Sequence, residues 1–376
     1  MSEWRTGRLG DWLEFRNGGA STLDDAGDFA VFGANGVYGR SQEANLRVPA
    51  SVIGRVGSYC GSVHYAPESA WVSENALIAT PRDGAPARFW YFALAQLELN
   101  SWRAGSGQPL LNQGILRNIP FVAPPLGDQH AIAEVLGALD DKIAANTKLI
   151  DRLLAVVNTE FVRRFGDRSL EVMLGALAEV VDCLHSKKPE RTPHGSTLMQ
   201  LNNIRDDGLV DRTSAYCISA EDYAAWSRRF ETRAWDFVIT NVGRIGAVAR
   251  IPDGYVAALG RNMTGIRPKV AAESGSFIAA ALLSSAVRRE IDQRTDAGSV
   301  MSALNVRSVP VLRLQDSSPS ERKAFHEFAS PFLENADTAL SESASLAATR
   351  DALLPPLMSG ELRVRDAEKL ASEAGA

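Results

Sequence analysis

The sequence predicts an α+β chain built twice over: two mixed α/β domains alternate with two long helical regions that pair as an antiparallel coiled coil, a pseudo-twofold internal repeat. Three observations predict it. A Gly-rich, turn-rich region followed by a long helical run occurs twice, with a period of roughly 190 residues. The first helical run keeps apolar residues at alternating steps of four and three. The regions before the runs are filled with short β-type segments bounded by turn residues.

The repeat can be followed residue by residue. GSGQPLLNQGILRNIPF (Gly105 to Phe121) leads into PPLGDQHAIAEVLGALDDKI, and GSVMSALNVRSVPV (Gly298 to Val311) leads into SPSERKAFHEFASPFLENAD. Gly105, Leu111 and Asn112 map onto Gly298, Leu304 and Asn305 with an offset of 193, and Asn75 and Pro81 map onto Asn262 and Pro268 with an offset of 187. The divisions that follow are a first domain at 1–124, a long helix at 125–165, a second domain at 166–312, a second helical region at 313–362 and a frayed or disordered tail at 363–376.

In the first domain, VFGANGVYGRS (Val31 to Ser41) and ASVIGRVGSYCGSVHYA (Ala50 to Ala66) read as strands and tight turns, and Ala87 to Arg103 as helical. Pro124 and Pro125, with Gly127 and Asp128 as a cap region, open the first long helix, which runs to Phe165 before Gly166. Its seam is Ile132, Leu136, Leu139, Ile143, Asn146, Ile150, Leu153 and Val157, with Asn146 the one polar member. At 1.5 Å per residue this rod is ~50 Å long and requires a helical partner along its length. The second domain repeats the pattern with DFVITNVGRIGAVARIPDG (Asp236 to Gly254) and a helical stretch from Phe277 to Thr295. Phe325, Phe328, Phe332, Leu333, Leu340, Leu346 and Leu353 give the partner a looser apolar face. Pro331 and the Pro355-Pro356 pair are expected to break that helix into shorter pieces, because proline removes an amide donor and clashes with the preceding turn.

Composition excludes several classes. Hydrophobic residues make up 45% and charged residues 23% of the 376, which suits folded domains. The N-terminus, MSEWRTGRLGDW, has no apolar leader core, and nowhere do 18 apolar residues run together, so no membrane span and a cytoplasmic location are expected. Cys60, Cys183 and Cys217 show no CxxC spacing, which argues against a disulfide framework or a zinc site. The net charge of −5 is concentrated at the end, since residues 313–376 hold 7 basic and 11 acidic residues whereas 166–312 hold 18 and 17. A nearly neutral chain binds DNA weakly alone and needs a local basic face or a basic partner.

Catalytic patterns are missing from the sequence. It has no GxxxxGK phosphate loop, no GxGxxG after a strand, and no NPPY or DPPY tetrapeptide that would grip a flipped base. Pro252-Asp253 is not followed by a Glu-x-Lys element, and His64, His130, His185, His194 and His326 are scattered. No catalytic residue and no metal ligand is assigned.

The GANGVYG turn, the SVIGRVGS strand and loop, the GSGQPLLNQ block, IPFVAPPLGDQHAIAEVLGALDDKI and the closing LLPPLMSGELRV together resemble the specificity subunits of type I restriction-modification systems. The resemblance spans nearly the whole chain. The second copy departs from it, with GSVMSALN lacking the Gln-Pro of GSGQPLLN and SSPSERKAF replacing PPLGDQHAI. The resemblance implies two target-recognition domains on double-stranded DNA, an asymmetric bipartite target, and a non-catalytic subunit of a phage-defence complex. It also implies methyltransferase subunits using S-adenosylmethionine and ATP-dependent motor and nuclease subunits, so that S-adenosylmethionine, ATP and Mg belong to partners and none to this chain.

Base edges are read by Arg or Lys at guanine and by Asn or Gln at adenine, with Ser and Thr as adaptable partners. On that basis Asn35, Tyr38, Arg40, Arg55, Ser58 and Tyr59 are the candidates in the first domain, with His64 beside them. Gln200, Asn202, Asn203, Arg205, Asn241, Arg244, Arg261 and Asn262 are the candidates in the second, followed by Lys269. Arg228, Arg229 and Arg233 are candidate phosphate contacts, and Gln108 and Asn112 are expected at the joint between domain and rod. The competing readings are a coiled-coil scaffold whose domains bind protein or carbohydrate, and a stand-alone nuclease or methyltransferase with unfamiliar motifs.

Overall fold

The computed structural model describes residues 4–21, 23–104, 110–296 and 302–375. The chain divides into two compact units, Met1–Ile143 with Ser345–Ala376, and Ala144–Ala344. Each takes one part of each long helix.

The first unit runs β1 (Arg5–Arg8), the single turn α1 (Leu9–Trp12), β2 (Leu13–Asn17), β3 (Phe29–Gly33), β4 (Gly36–Ser41), β5 (Ala50–Gly54), β6 (Val63–Ala66), β7 (Ala70–Val72), β8 (Ala76–Pro81), α2 (Ala87–Gln96), α3 (Gln113–Arg117) and β9 (Pro120–Ala123), then enters α4 (Leu126–Phe165). Strands β2-β8-β5-β6 form an antiparallel sheet, β4-β3-β7 a smaller one with β3 and β7 parallel, and β9 pairs back on β1. The alternation of side chains along β5 and β8 explains the two layers. Ile53, Leu77 and Ala79 face the core that holds Phe89 and Trp90 of α2, while Val52, Ala76 and Ile78 face the core shared with Phe32 of β3 and Val72 of β7. A strand buried on both faces reads in sequence as an unbroken apolar run, which is how ASVIG appears.

The second unit repeats this plan and adds one short strand pair, Thr295–Asp296 with Ala303–Leu304. It runs β10 (Leu170–Met173), α5 (Leu174–Leu177), β11 (Ala178–Asp182), β12 (Ser196–Met199), β13 (Cys217–Ile218), α6 (Ala220–Ser227), β14 (Phe237–Thr240), β15 (Val248–Arg250), β16 (Ala257–Leu259), β17 (Met263–Pro268), α7 (Ala271–Leu283), α8 (Ser285–Gln293), β18 (Thr295–Asp296), β19 (Ala303–Leu304) and β20 (Arg313–Gln315), then enters α9 (Pro319–Ser359). Its sheets are β11-β17-β14-β15 and β13-β12-β16, with β12 and β16 parallel and β20 paired on β10. The sequence offsets appear as matched backbone bonds. Leu111 N donates to Arg55 O and Leu304 N to Asn241 O, both at 2.9 Å, while Arg55 N donates to Asn75 O at 3.0 Å and Asn241 N to Asn262 O at 2.8 Å. Asn112 and Asn305 also cap alike, their Oδ1 atoms accepting from Ile115 N and Arg307 N, both at 2.9 Å. Gln108, Gly105 and Gly298 lie outside the described residues.

Along α4 the whole expected seam is buried or half-buried, Asn146 included. In the second unit, Asn146 Nδ2 donates to Glu342 Oε2 at 2.7 Å, and Phe161 lies 5.7 Å from Phe325 between ring centroids. The partner number falls as α4 advances, so the helices are antiparallel. In the first unit, Arg350 Nη1 bonds Asp140 Oδ1 at 2.6 Å between the same two helices.

Two expectations about the C-terminal half are corrected. Helix α9 runs unbroken for 41 residues through Pro331, Pro355 and Pro356. A proline inside a helix costs about 3 kcal/mol, which four buried neighbours, Phe325, Ala329, Leu333 and Ala336, offset by packing at ~1.5–3 kcal/mol for each large side chain. Pro331 faces solvent, so the carbonyl it leaves without an amide lies on the exposed side where water reaches it. The expected disordered tail is instead α10 (Val364–Glu373), held by Ala367 and Ala371, which are 0% and 5% exposed in the first unit's core. Their small side chains let the helix approach closely. The helical stretch from Ala87 to Arg103 is also shorter than expected, ending at Gln96 and resuming as a 3-10 turn over Leu99–Trp102.

Candidate nucleic-acid interface

In each unit one end of the four-stranded sheet collects the loops that carry most of the candidate residues. Register places them there. Asn17 pairs with Leu77 and Gly54 with Ala76, so the loops after β2 and β5 leave the sheet where β8 begins. Likewise Asp182 pairs with Thr264 and Thr240 with Met263, so the loops after β11 and β14 leave where β17 begins.

The loop between β5 and β6 is a tight platform. Gly57 and Gly61 take φ of +72° and +90°, a conformation that favours glycine, and a side chain at Gly54 would collide with the Tyr59 carbonyl. Ser62 Oγ donates to Ala34 O, and His64 Nε2 lies 3.3 Å from the same oxygen, so this loop is locked to the β3–β4 turn that carries Asn35. Asn35, Ser58 and Tyr59 all end exposed on this joined surface. The loop also lies against the 3-10 turn that presents Trp102, 43% exposed, and Arg103. Sequence reasoning missed these two, although a polar-flanked Trp after a helix was an available signal. Arg55 is half-buried, with an Nε that has no hydrogen-bond partner among the described residues. Tyr38 is exposed and shares a 2.8 Å hydrogen bond with Ser21. Arg40 is committed elsewhere: its Nε and Nη2 donate to the carbonyls of Gly27 and Asp28 at 2.5 and 2.8 Å and pin the β2–β3 loop.

The second unit builds the same junction with different atoms. Gly243 and Gly246 supply φ of +85° and +70° in the β14–β15 loop, and Arg244 reaches the loop after β12, donating to Ile204 O at 2.5 Å and pairing with Asp206. A cleft of about 610 Å³ opens beside it, lined by Arg205, Arg244, Arg288, Asp292 and Thr295. Asn202 and Arg261 are exposed in this unit, with Asn202 Nδ2 3.0 Å from Ser214 Oγ. Asn262 sits at φ +65°, a left-handed turn position that asparagine tolerates.

Two candidates are withdrawn as base readers. Asn203 is 1% exposed, with Oδ1 accepting from Gln200 N at 2.8 Å and Nδ2 donating to Asp211 O at 2.9 Å. Asn241 is 7% exposed, with Nδ2 donating to Leu304 O and Oδ1 accepting from Thr264, both at 2.9 Å. Both amides are consumed in holding loops, and a buried amide cannot reach a base edge. Gln200 is half-buried and bonds Leu198 O and Met199 O, and Arg205 forks onto Asp207 at 2.6 Å. Arg228, Arg229 and Arg233 are exposed, with Arg229 donating to Cys183 O at 3.2 Å, while Lys269 bonds the carbonyls of Gly175 and Ala176 at 3.0 Å.

Among the described residues, Asp182, Cys183 and His185 offer three metal-ligand atoms within 4.8 Å of one another. Burial raises the Cys183 thiol pKa, and a thiol held protonated is a poor ligand. His185 and Asp182 instead bond each other at 2.9 Å. Among the described residues no helix is long and apolar enough to cross a membrane.

This geometry combines duplicated sheets, each with turn residues displayed at one end, and paired long helices. Residues 1–155 match the family model described as "Type I restriction modification DNA specificity domain". A curated relative, the Type I restriction enzyme EcoprrI specificity subunit of Escherichia coli, is 28% identical over 112 residues, covering 30% of this chain and 28% of the relative. The S subunit of a type I restriction-modification system from M. genitalium has a similar fold, with a TM-score of 0.66 and 16% identity over 94% of this chain and 96% of that one. The first 155 residues are thus similar in sequence to a type I specificity domain, and the chain as a whole is similar in fold to a solved S subunit.

Proposed function

We propose that this chain is the address-reading subunit of a type I restriction-modification assembly, in which each domain reads one half of an asymmetric, bipartite DNA target. The observation that carries the reading is the repeated scaffold with unlike loops. Two junctions share backbone bonds at offset positions, yet one displays Asn35, Ser58, Tyr59 and Trp102, and the other Asn202, Arg244 and Arg261. Domains that must hold the same posture while contacting different bases would differ in this way.

In this reading the exposed faces of α4 and α9 carry methyltransferase subunits and an ATP-driven motor and nuclease. Those partners hold S-adenosylmethionine, ATP and Mg, and this chain supplies no catalytic residue. The helices set the unread gap, with half-sites centred about one DNA turn, roughly 10 base pairs, apart.

Methylome sequencing of a host expressing all subunits tests this. A two-part methylated sequence is expected, absent when this chain is omitted. Inserting one heptad into both helices should change the gap and leave the two half-sequences alone. A contiguous target would refute the bipartite reading, and methylation or cleavage by the isolated chain would refute the non-catalytic one.

A further inference from the structure

The loop joining β11 to β12 carries Lys187, Lys188, Arg191 and two histidines against a single carboxylate, Glu190, and these residues are exposed. Its counterpart joining β2 to β3 holds Asp24, Asp25 and Asp28 and no Lys or Arg. Four other arginines of the second unit are matched with acids, Arg205, Arg244, Arg250 and Arg267 facing Asp207, Asp206, Asp337 and Asp236, whereas Arg228, Arg229, Arg233 and Arg261 are exposed single cations outside this loop. Lys187 and Arg191 have no carboxylate partner among the described residues.

The loop is held as a platform along the β13 edge. Tyr216 OH donates to Pro189 O at 2.8 Å, Thr192 N donates to Cys217 O at 2.9 Å, and Lys188 Nζ sits 3.8 Å from the centroid of the Tyr216 ring. Arg191 uses Nη2 to bond Ala215 O at 3.1 Å, leaving the rest of its donor fork available. The loop leaves the sheet at Asp182, the end at which Arg261 and Asn262 turn into β17.

We propose that Lys187, Lys188 and Arg191 form a phosphate-gripping strip for duplex DNA that serves the second domain and has no equivalent in the first. The inference rests on the DNA-reading function proposed above and adds a division of labour. The second domain supplies most of the sequence-independent affinity, and the first, with an acidic loop at the matching place, contributes chiefly discrimination. Phosphate contacts position a protein without specifying sequence, and each releases counterions.

The test is fluorescence anisotropy of the purified full chain with a labelled mixed-sequence duplex across a salt series. The K187E/K188E/R191E variant should bind at least ~10-fold more weakly at low salt, with the slope of log K against log salt shallower by ~0.9 for each phosphate it no longer neutralises. The milder K187Q/R191Q variant should show the same change in smaller degree, with circular dichroism confirming the fold. D24N/D25N should leave affinity unchanged or raise it. With methyltransferase assembled, the charge-reversed chain should direct methylation to the same sequence, less efficiently. A wild-type chain that binds while both loop variants keep its affinity and slope overturns the strip and leaves the proposed function standing. A wild-type chain that binds no duplex at any salt, alone or with methyltransferase, overturns both.

Discussion

The two domains share a scaffold and differ in what their arginines and asparagines are doing. At the position where the first domain places Arg55, half-buried with an Nε unpartnered among the described residues, the second places Asn241, buried and bonded on both sides of its amide. The backbone around them is the same: each donates to the asparagine before β8 or β17 and each accepts from a leucine, Leu111 or Leu304. Backbone bonds therefore preserve the posture of the end of the sheet while side chains are released to diverge. In the first domain, Ser62 and His64 close the junction on the Ala34 carbonyl and leave Asn35 outside. In the second, Arg244 performs the closure and is partly used up by it.

The strongest way to break the equivalence is to cut the shared support. Leu111→Ala and Leu304→Ala each empty a fully buried site and should each cost about 2–5 kcal/mol, with similar shifts of the urea midpoint for the unit concerned. Markedly unequal losses would show that the second scaffold is not braced as the first is.

A smaller effect separates the two side chains at the matched position. Asn241→Ala leaves the Leu304 carbonyl without its side-chain donor and Thr264 without an acceptor, and should cost about 1–3 kcal/mol in thermal unfolding. Arg55→Ala should leave stability nearly intact and instead weaken target DNA binding by about tenfold, the scale of one base-directed arginine contact. If Arg55→Ala destabilises as Asn241→Ala does, both positions are braces and the contrast collapses.

The smallest effect is with pH. His326 of α9 is packed 4.8 Å from the Trp235 ring and 2.9 Å from Ser276 Oγ, and burial lowers its pKa below 6.5, against the upward pull of Glu334 and Glu327. The unfolded chain therefore takes up a proton before the folded one does. The stabilising contribution is present above about pH 6.5 and is lost as pH falls from there through the folded value. His326→Gln should flatten this part of the stability profile of the second unit, and Leu304 variants should retain it. A wild-type profile that stays flat below pH 6.5 would sink the assignment.

Much of the architecture was legible in the sequence because it rests on periodicity. The α4 seam, the 193 and 187 offsets and the apolar run of β5 are one-dimensional records of burial. Pro331 and the stretch after Arg363 defy a local reading because propensity is overridden by contacts distant in sequence, the core around Phe325 for one and the seats of Ala367 and Ala371 for the other. The site was less legible. Asn203 and Asn241 look no different in sequence from Asn35 and Asn202, since an amide that braces a loop and one that faces outward differ only in what the fold brings to them. The charge reversal between the β2–β3 and β11–β12 loops was present in the letters and became meaningful only once the strands aligned the two loops.

The first unit is discontinuous, made of Met1–Ile143 and Ser345–Ala376, with the second inserted between them. The insert closes near its own ends, where Asn146 bonds Ala339 and Glu342. Synthesis therefore reverses the usual order in which N-terminal domains finish first. The nascent chain completes the second unit while the first still lacks its last helical segments, and the domain begun earliest is the one sealed last.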